Sequence, residues 1–134
     1  RGKKRKGGKR GEEEEGREIP LMIPARSNLN LRYFSVPSTM KIGKGCRLHG
    51  NIRAGSIEVQ PDTVIFGSLR AKRGITVTSG VEVHGNVESS DEVYVKKGAH
   101  ILGDVIAKTI RLHEDARIDG TIEAPHGLHI ERDA

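Results

Sequence analysis

Short runs of alternating apolar and polar residues recur along the chain between residues 40 and 130. Each repeat opens with two apolar residues separated by one other residue, such as Ile57 and Val59. Further along, a glycine and a small polar residue stand between two more apolar residues. Because a period of two places every second side chain on one face of a strand, the pattern predicts three short β-strands per repeat. The central glycines are 17, 18, 18 and 17 residues apart: Gly50, Gly67, Gly85, Gly103 and Gly120.

Aligning the repeats on these glycines places their apolar residues in three columns. The columns are Met40–Ile57–Ile75–Val93–Ile110–Leu128, Leu48–Ile65–Val83–Ile101–Ile118 and Ile52–Leu69–Val87–Val105–Ile122. Repeats of this length bury their apolar residues by stacking on their neighbours. We therefore predict an all-β fold, a three-sided parallel β-helix of about six coils whose columns fill the interior.

The charge is unevenly distributed and suggests three regions. The net charge of +5 comes from residues 1–38, which hold ten Lys or Arg and five Glu, whereas residues 39–134 hold thirteen of each sign. A basic block, Arg1–Arg10, precedes an acidic run, Glu12–Glu15. Such blocks are typical of disordered tails. We predict a disordered charged tail over 1–18, an apolar linker with prolines over 19–38, and the β-helix over 39–134.

The first two regions are candidates for contact with an anionic surface. A basic cluster near a membrane attracts anionic lipid, and it can equally bind nucleic-acid phosphates without sequence preference. A purely solubilising tail is a third interpretation. The apolar part of the linker can lie in a membrane interface or cap the first coil. The candidate residues are Lys3, Lys4, Arg5, Lys6, Lys9, Arg10, Leu21, Met22 and Ile23.

The two ends of the β-helix are candidates for self-association. A terminal coil exposes unpaired backbone groups and a cross-section of the core unless something covers it. Only four residues follow Ile130, so we expect the last coil to be open. The predicted polymer interface consists of Met40 and Ile42 at one end, and Leu128 and Ile130 at the other.

Four apolar residues are expected to point outward, so they form a candidate lateral or tail-docking patch. They are Val64, Phe66, Leu102 and Ile106. We hypothesise that this side receives Leu29–Phe34 or contacts a neighbouring filament.

The histidines and the single cysteine do not form a recognisable catalytic or metal-binding site in the sequence. His49 and His84 share an outward column but lie two coils apart, about 9.6 Å by strand spacing, whereas zinc needs donors at about 2 Å. Cys46 falls in an inward column and is interpreted as a core residue. We therefore predict no enzyme activity, no cofactor and no metal.

Because no apolar run is long enough to span a bilayer and no signal peptide is present, we expect a cytoplasmic protein, at the inner face of the membrane if the tail binds lipid.

The glycine-centred phrases resemble those of the bactofilin family over about two thirds of the chain. They include Val81-Glu82-Val83-His84-Gly85-Asn86-Val87 and Gly98-Ala99-His100-Ile101-Leu102-Gly103-Asp104-Val105. The resemblance implies a right-handed β-helix and nucleotide-independent assembly into non-polar filaments. It also implies membrane association through the N-terminal tail, and a scaffold role for envelope or cell-shape proteins. Family members often carry an aromatic near the last coil, where this chain has Leu128 and Ile130.

Two other function classes remain open at this point. Left-handed β-helices with hexapeptide repeats have similar coils and include trimeric acyltransferases and carbonic anhydrases. A catalytic or metal-binding histidine acts between chains in those enzymes, and His84 or His100 could take that role here. Those enzymes commonly carry loop insertions, whereas the coils here run without interruption from Met40 to Ile130. The third class is a monomeric adaptor rod that binds partners along one side.

Overall fold

The computed structural model describes residues 19–133, and every regular element in this range is a β-strand. The strands are β1 (Leu21–Ile23), β2 (Asn28–Ser35), β3 (Thr39–Ile42), β4 (Arg47–Val59), β5 (Val64–Phe66), β6 (Leu69–Val77), β7 (Glu82–Val83), β8 (Val87–Ser89), β9 (Glu92–Val95), β10 (His100–Ile101), β11 (Val105–Ile106), β12 (Thr109–His113), β13 (Arg117–Ile118), β14 (Ile122–Glu123) and β15 (Gly127–Glu131).

All strand pairs are parallel, and they join equivalent positions of successive repeats on three faces. Face A stacks β1, β3, the end of β4, the end of β6, β9, β12 and β15. Face B stacks the start of β2, the start of β4, β5, β7, β10 and β13. Face C stacks the end of β2, the middle of β4, the start of β6, β8, β11 and β14. The predicted solenoid of about six turns is confirmed.

The interior contains the three predicted columns and a fourth on face A, Ile42–Val59–Val77–Val95, which Leu112 and Ile130 continue. Met40, Leu48, Ile65, Val83 and Ile101 have no exposed surface. The other members of the columns are equally buried as far as Val105 and Ile110. Burial of each aliphatic side chain is worth about 1.5–3 kcal/mol relative to exposure, so the repeated columns supply most of the apolar stabilisation of the rod.

The recurring glycine is explained by close approach of successive coils. A Cβ added at Gly103 or Gly120 would lie 2.5 Å from the carbonyl oxygen of the glycine one coil earlier, and one at Gly85 would lie 2.7 Å from it. Real Cβ atoms do not come this close to backbone oxygen. The corner between faces B and C therefore admits only glycine at this position.

The small polar residue after each glycine forms a ladder of side-chain to backbone hydrogen bonds. Asn51 Oδ1 accepts from the Ser68 amide at 3.0 Å, and Ser68 Oγ accepts from the Asn86 amide at 3.0 Å. Asn86 Oδ1 then accepts from Asp104, and Asp104 Oδ1 from Thr121, each at 2.8 Å. The ladder supplies a partner to one backbone amide per coil at a corner where the strand hydrogen bonding is interrupted.

The segment predicted as a linker, 19–38, contributes β1 and β2 to the solenoid. Leu21 and Ile23 pair with Met40 and Ile42, and β2 pairs with β4 through a register shift between Asn30 and Arg32. Ile23 is buried, and the Cys46 thiol donates to the Pro24 carbonyl at 3.1 Å. These residues therefore form a coil ahead of residue 39. The charged tail, residues 1–18, lies outside the described residues.

Candidate polymer interface and outer faces

The C-terminal end of the described solenoid exposes apolar positions that the earlier coils bury. Within residues 19–133, each of β13, β14 and β15 has a strand partner on one side only. Ile122 is 37% exposed, Leu128 46% and Ile130 44%, whereas Val105 and Ile110 one coil earlier are fully buried. The end of the described range therefore combines unpaired strand edges with uncovered core side chains, and a polymer interface at Leu128 and Ile130 stays a prediction.

The last strand is held in place by two small ionic clusters. Glu131 accepts hydrogen bonds from the Tyr94 hydroxyl at 2.8 Å and from Arg111 Nε at 3.0 Å. Asp133 accepts from Lys97 Nζ at 2.7 Å and contacts His113 Nε2 at 3.0 Å. The bonds from Tyr94 and Arg111 hold the pKa of Glu131 below its usual value, and those from Lys97 and His113 do the same to the pKa of Asp133. Both carboxyl groups therefore favour the ionised form, in which their hydrogen bonds hold β15 and the residues after it against the preceding coils.

The N-terminal end is formed by other residues than the sequence predicted. Met40 and Ile42 have no exposed surface because β1 lies over them. Among the described residues, β1 pairs only with β3 and β2 only with β4. The exposed large apolar and aromatic side chains at this end are Ile19, Met22, Leu29 and Tyr33. Of the four predicted interface residues, the structure places Leu128 and Ile130 at an end and Met40 and Ile42 one coil inside.

The predicted outward patch is divided between two faces. Val64, Phe66 and Leu102 lie on face B. The Phe66 ring stacks on His49 at a centroid distance of 4.5 Å and lies tilted against His84 at 4.8 Å. Ile106 lies on face C beside Glu88 and Glu123. All four patch residues are half-buried. The segment 29–34 is part of β2 and runs over β4, so in this structure it does not cross the patch.

The candidate surface-binding residues are also divided. Lys3, Lys4, Arg5, Lys6, Lys9 and Arg10 lie outside the described residues. Leu21, Met22 and Ile23 form β1, in which Ile23 points into the core and Met22 is 64% exposed. Sequence reasoning missed the coil formed by 19–38, since its prolines and register shift interrupt the period of two that marks the later strands.

The polar residues of face B form pairs. His84 Nε2 lies 2.9 Å from Glu82, and His100 Nε2 lies 2.9 Å from Asp119, which Arg117 also contacts at 2.7 Å. The His100 and Arg117 bonds lower the pKa of Asp119.

Within residues 19–133, no three His, Cys, Asp or Glu side chains gather as a metal ion requires. No helix in that range has the length and apolar character needed to cross a membrane.

The parallel strand order and the buried columns define the class of the fold, a parallel β-solenoid. The family model for bactofilin, described as polymer-forming cytoskeletal, matches residues 34–123. This match covers about two thirds of the chain, and the chain belongs to the bactofilin family. It therefore belongs to a structural, cytoskeletal family rather than a family of enzymes. Neither the curated proteins nor the solved structures compared with the chain gave a match.

Proposed function

We propose that this chain assembles end to end, without nucleotide, into filaments that act as a scaffold at the membrane. The observation that carries the proposal is the last coil of the described solenoid, where Ile122, Leu128 and Ile130 continue the core columns but remain exposed. Family membership supports self-association, since the family is polymer-forming.

Stacking on another subunit would bury these side chains and pair the strand edges. Leu128 and Ile130 are each nearly half exposed, so covering them gains about 1 kcal/mol per residue, half of the value for a fully exposed aliphatic side chain. The unpaired N–H and C=O groups of β13, β14 and β15 form a template for a further strand on each face. One contact between stacked subunits would therefore both bury the exposed side chains and pair the strand edges.

The filament proposal is tested by images of negatively stained protein. An Ile130→Arg or Leu128→Arg substitution places a charge in the end contact, and burying it without a partner costs several kcal/mol. We expect few or no filaments from either variant. The matched control is His129→Arg. His129 lies between Leu128 and Ile130 on β15, so its side chain points to the outer side of face A. Filaments as abundant as wild type in both inward variants would remove the C-terminal coil from the interface.

The membrane part of the proposal rests on the basic block and on Met22 and Ile19, whose exposed side chains lie at the end where the chain enters the solenoid. Each basic residue near an anionic surface contributes about 1 kcal/mol. We expect the full chain to sediment with vesicles that contain phosphatidylglycerol, and a Lys3→Gln, Lys4→Gln, Arg5→Gln, Lys6→Gln variant to sediment much less. Equal binding to vesicles of phosphatidylcholine alone would contradict an electrostatic contact.

A further inference from the structure

The charges of the solenoid are separated along its axis. Residues 19–73, the N-terminal half, contain nine Lys or Arg and two Asp or Glu, a net charge of +7. Residues 74–133 contain six basic and eleven acidic residues, a net charge of −5. The near balance of charge over residues 19–133, a net +2, therefore conceals a basic half, and the acidic Glu12–Glu15 run precedes that half in the sequence.

The basic half has its densest cluster at the corner between faces C and A. Arg53 and Arg70 are cross-strand neighbours on face C, and Lys72 and Arg73 follow Arg70 where β6 turns towards face A. Arg70 pairs with Glu88 at 3.2 Å. Arg53, Lys72 and Arg73 have no carboxylate within ion-pair distance among residues 19–133. We call these three residues the basic corner.

A shallow groove runs along the basic corner beside the first coil. The groove is lined by Ser35, Val36, Pro37, Arg53, Ala54, Gly55, Lys72 and Arg73. The Arg73 guanidinium lies against Gly55 and donates to Ser56 Oγ at 3.3 Å. Arg53, Lys72 and Arg73 are all exposed. The groove thus presents three cations that lack a described counterion.

The chain enters the solenoid at this same corner. Because Leu21 pairs with Met40, residues 19 and 20 come in alongside 38 and 39. The Ser38 carbonyl in turn accepts from the Gly55 amide at 2.9 Å, at the floor of the groove. Glu15 is six residues before Leu21, and six extended residues span up to ~20 Å. The basic corner lies two to three strand spacings away, about 10–14 Å.

We propose that the acidic run Glu12–Glu15 docks on the basic corner of its own chain. The run carries four negative charges, opposite to the three cations and within reach of them. The short connection keeps the run at a high effective concentration near the groove. Docking occupies the acidic run and so leaves the basic block Arg1–Arg10 without its nearest counter-charges. The proposal goes beyond filament assembly and does not depend on it, since the contact is within one chain.

Zero-length carbodiimide cross-linking of the full chain, read by mass spectrometry, tests the contact. Lys72 provides the amine and Glu12–Glu15 the carboxylates. Lys44 is the internal control, because it lies in the same half of the rod on the turn between faces A and B. We expect the acidic run to link mainly to Lys72, with a yield that falls as salt screens the exposed charges. Mixing isotope-labelled and unlabelled chains separates links within a chain from links between chains.

Two double variants keep Lys72 as the reporter and change the charge around it. Arg53→Gln with Arg73→Gln should reduce the Lys72 link about fivefold, the size expected when two exposed charge pairs are lost. Arg26→Gln with Arg47→Gln removes two exposed cations near Lys44 and should leave the link unchanged. Circular dichroism is used to check that both variants fold.

Several results would overturn the proposal. A link to Lys44 as strong as that to Lys72 would show that the acidic run has no preferred site. Dominant links to Lys3, Lys4, Lys6 or Lys9 would show that the run folds back on the basic block instead. Links mainly between labelled and unlabelled chains would assign the corner to a neighbouring copy. No link at Lys72 would leave the corner to an external anion such as a phosphate.

Discussion

The glycine column allows a prediction whose size follows from the structure. In Gly103→Ala, the new Cβ would lie 2.5 Å from the Gly85 carbonyl oxygen and 2.8 Å from its carbon, and it would also contact Asn86 Oδ1. The backbone of the preceding coil cannot rotate away as a flexible side chain does. The two coils must therefore separate, which strains the packing and lengthens the bond from Asn86 Oδ1 to the Asp104 amide.

The expected cost combines three effects. Overpacking of a tight site costs about 1–3 kcal/mol, and loss of the ladder bond costs about 0.5–1.5 kcal/mol. Replacing a glycine also restricts the unfolded chain, which offsets about 0.4–1 kcal/mol. We therefore expect Gly103→Ala to lower the free energy of unfolding by about 2 kcal/mol.

Gly74→Ala is the matched control. A Cβ at Gly74 would lie 3.6 Å from the Glu92 carbonyl oxygen, an ordinary van der Waals contact. We expect this variant to be as stable as wild type or more stable by up to about 1 kcal/mol. The measurement is urea unfolding followed by far-ultraviolet circular dichroism at one protein concentration, because assembly would make the midpoint depend on concentration. Equal midpoints for Gly103→Ala and wild type would refute close approach as the reason for the glycine repeat.

Two further predictions concern the last strand and face B. Because the folded-state pKa values of Glu131 and Asp133 are lowered, their stabilising contribution is present above the unfolded pKa of about 4 and is lost as pH falls through the folded values. Acidification should therefore raise the hydrogen exchange of β15 relative to β9, and Glu131→Gln with Asp133→Asn should abolish that pH dependence; a double variant that keeps it would contradict the assignment. Phe66→Asp places a charge between His49 and His84 and should reduce lateral bundling in negatively stained images, whereas Thr76→Asp on face A should not; bundles of unchanged width would argue against a face B contact.

The residues that specify the repeat act locally, which is why the sequence alone predicted the solenoid. Each strand needs only alternation over a few residues, and each coil repeats the register of the one before it. The same regularity identified Leu128 and Ile130 as the last members of two columns within the described residues. The turns between strands follow the same local logic, since Gly45, Asp62 and Gly80 adopt positive φ angles that suit glycine and aspartate.

The remaining features required the tertiary structure, because they depend on contacts between residues far apart in the chain. The pairing of β1 with β3 buries Met40 and Ile42. Residues 19–38 lack the regular alternation of apolar and polar residues that would predict this pairing. Lys97 meets Asp133 across 36 residues, through the stacking of two coils. The sequence by itself determined which residues face inward, since that depends on local alternation. The structure decided which coil forms each end and which charges become neighbours, since both depend on how the coils stack.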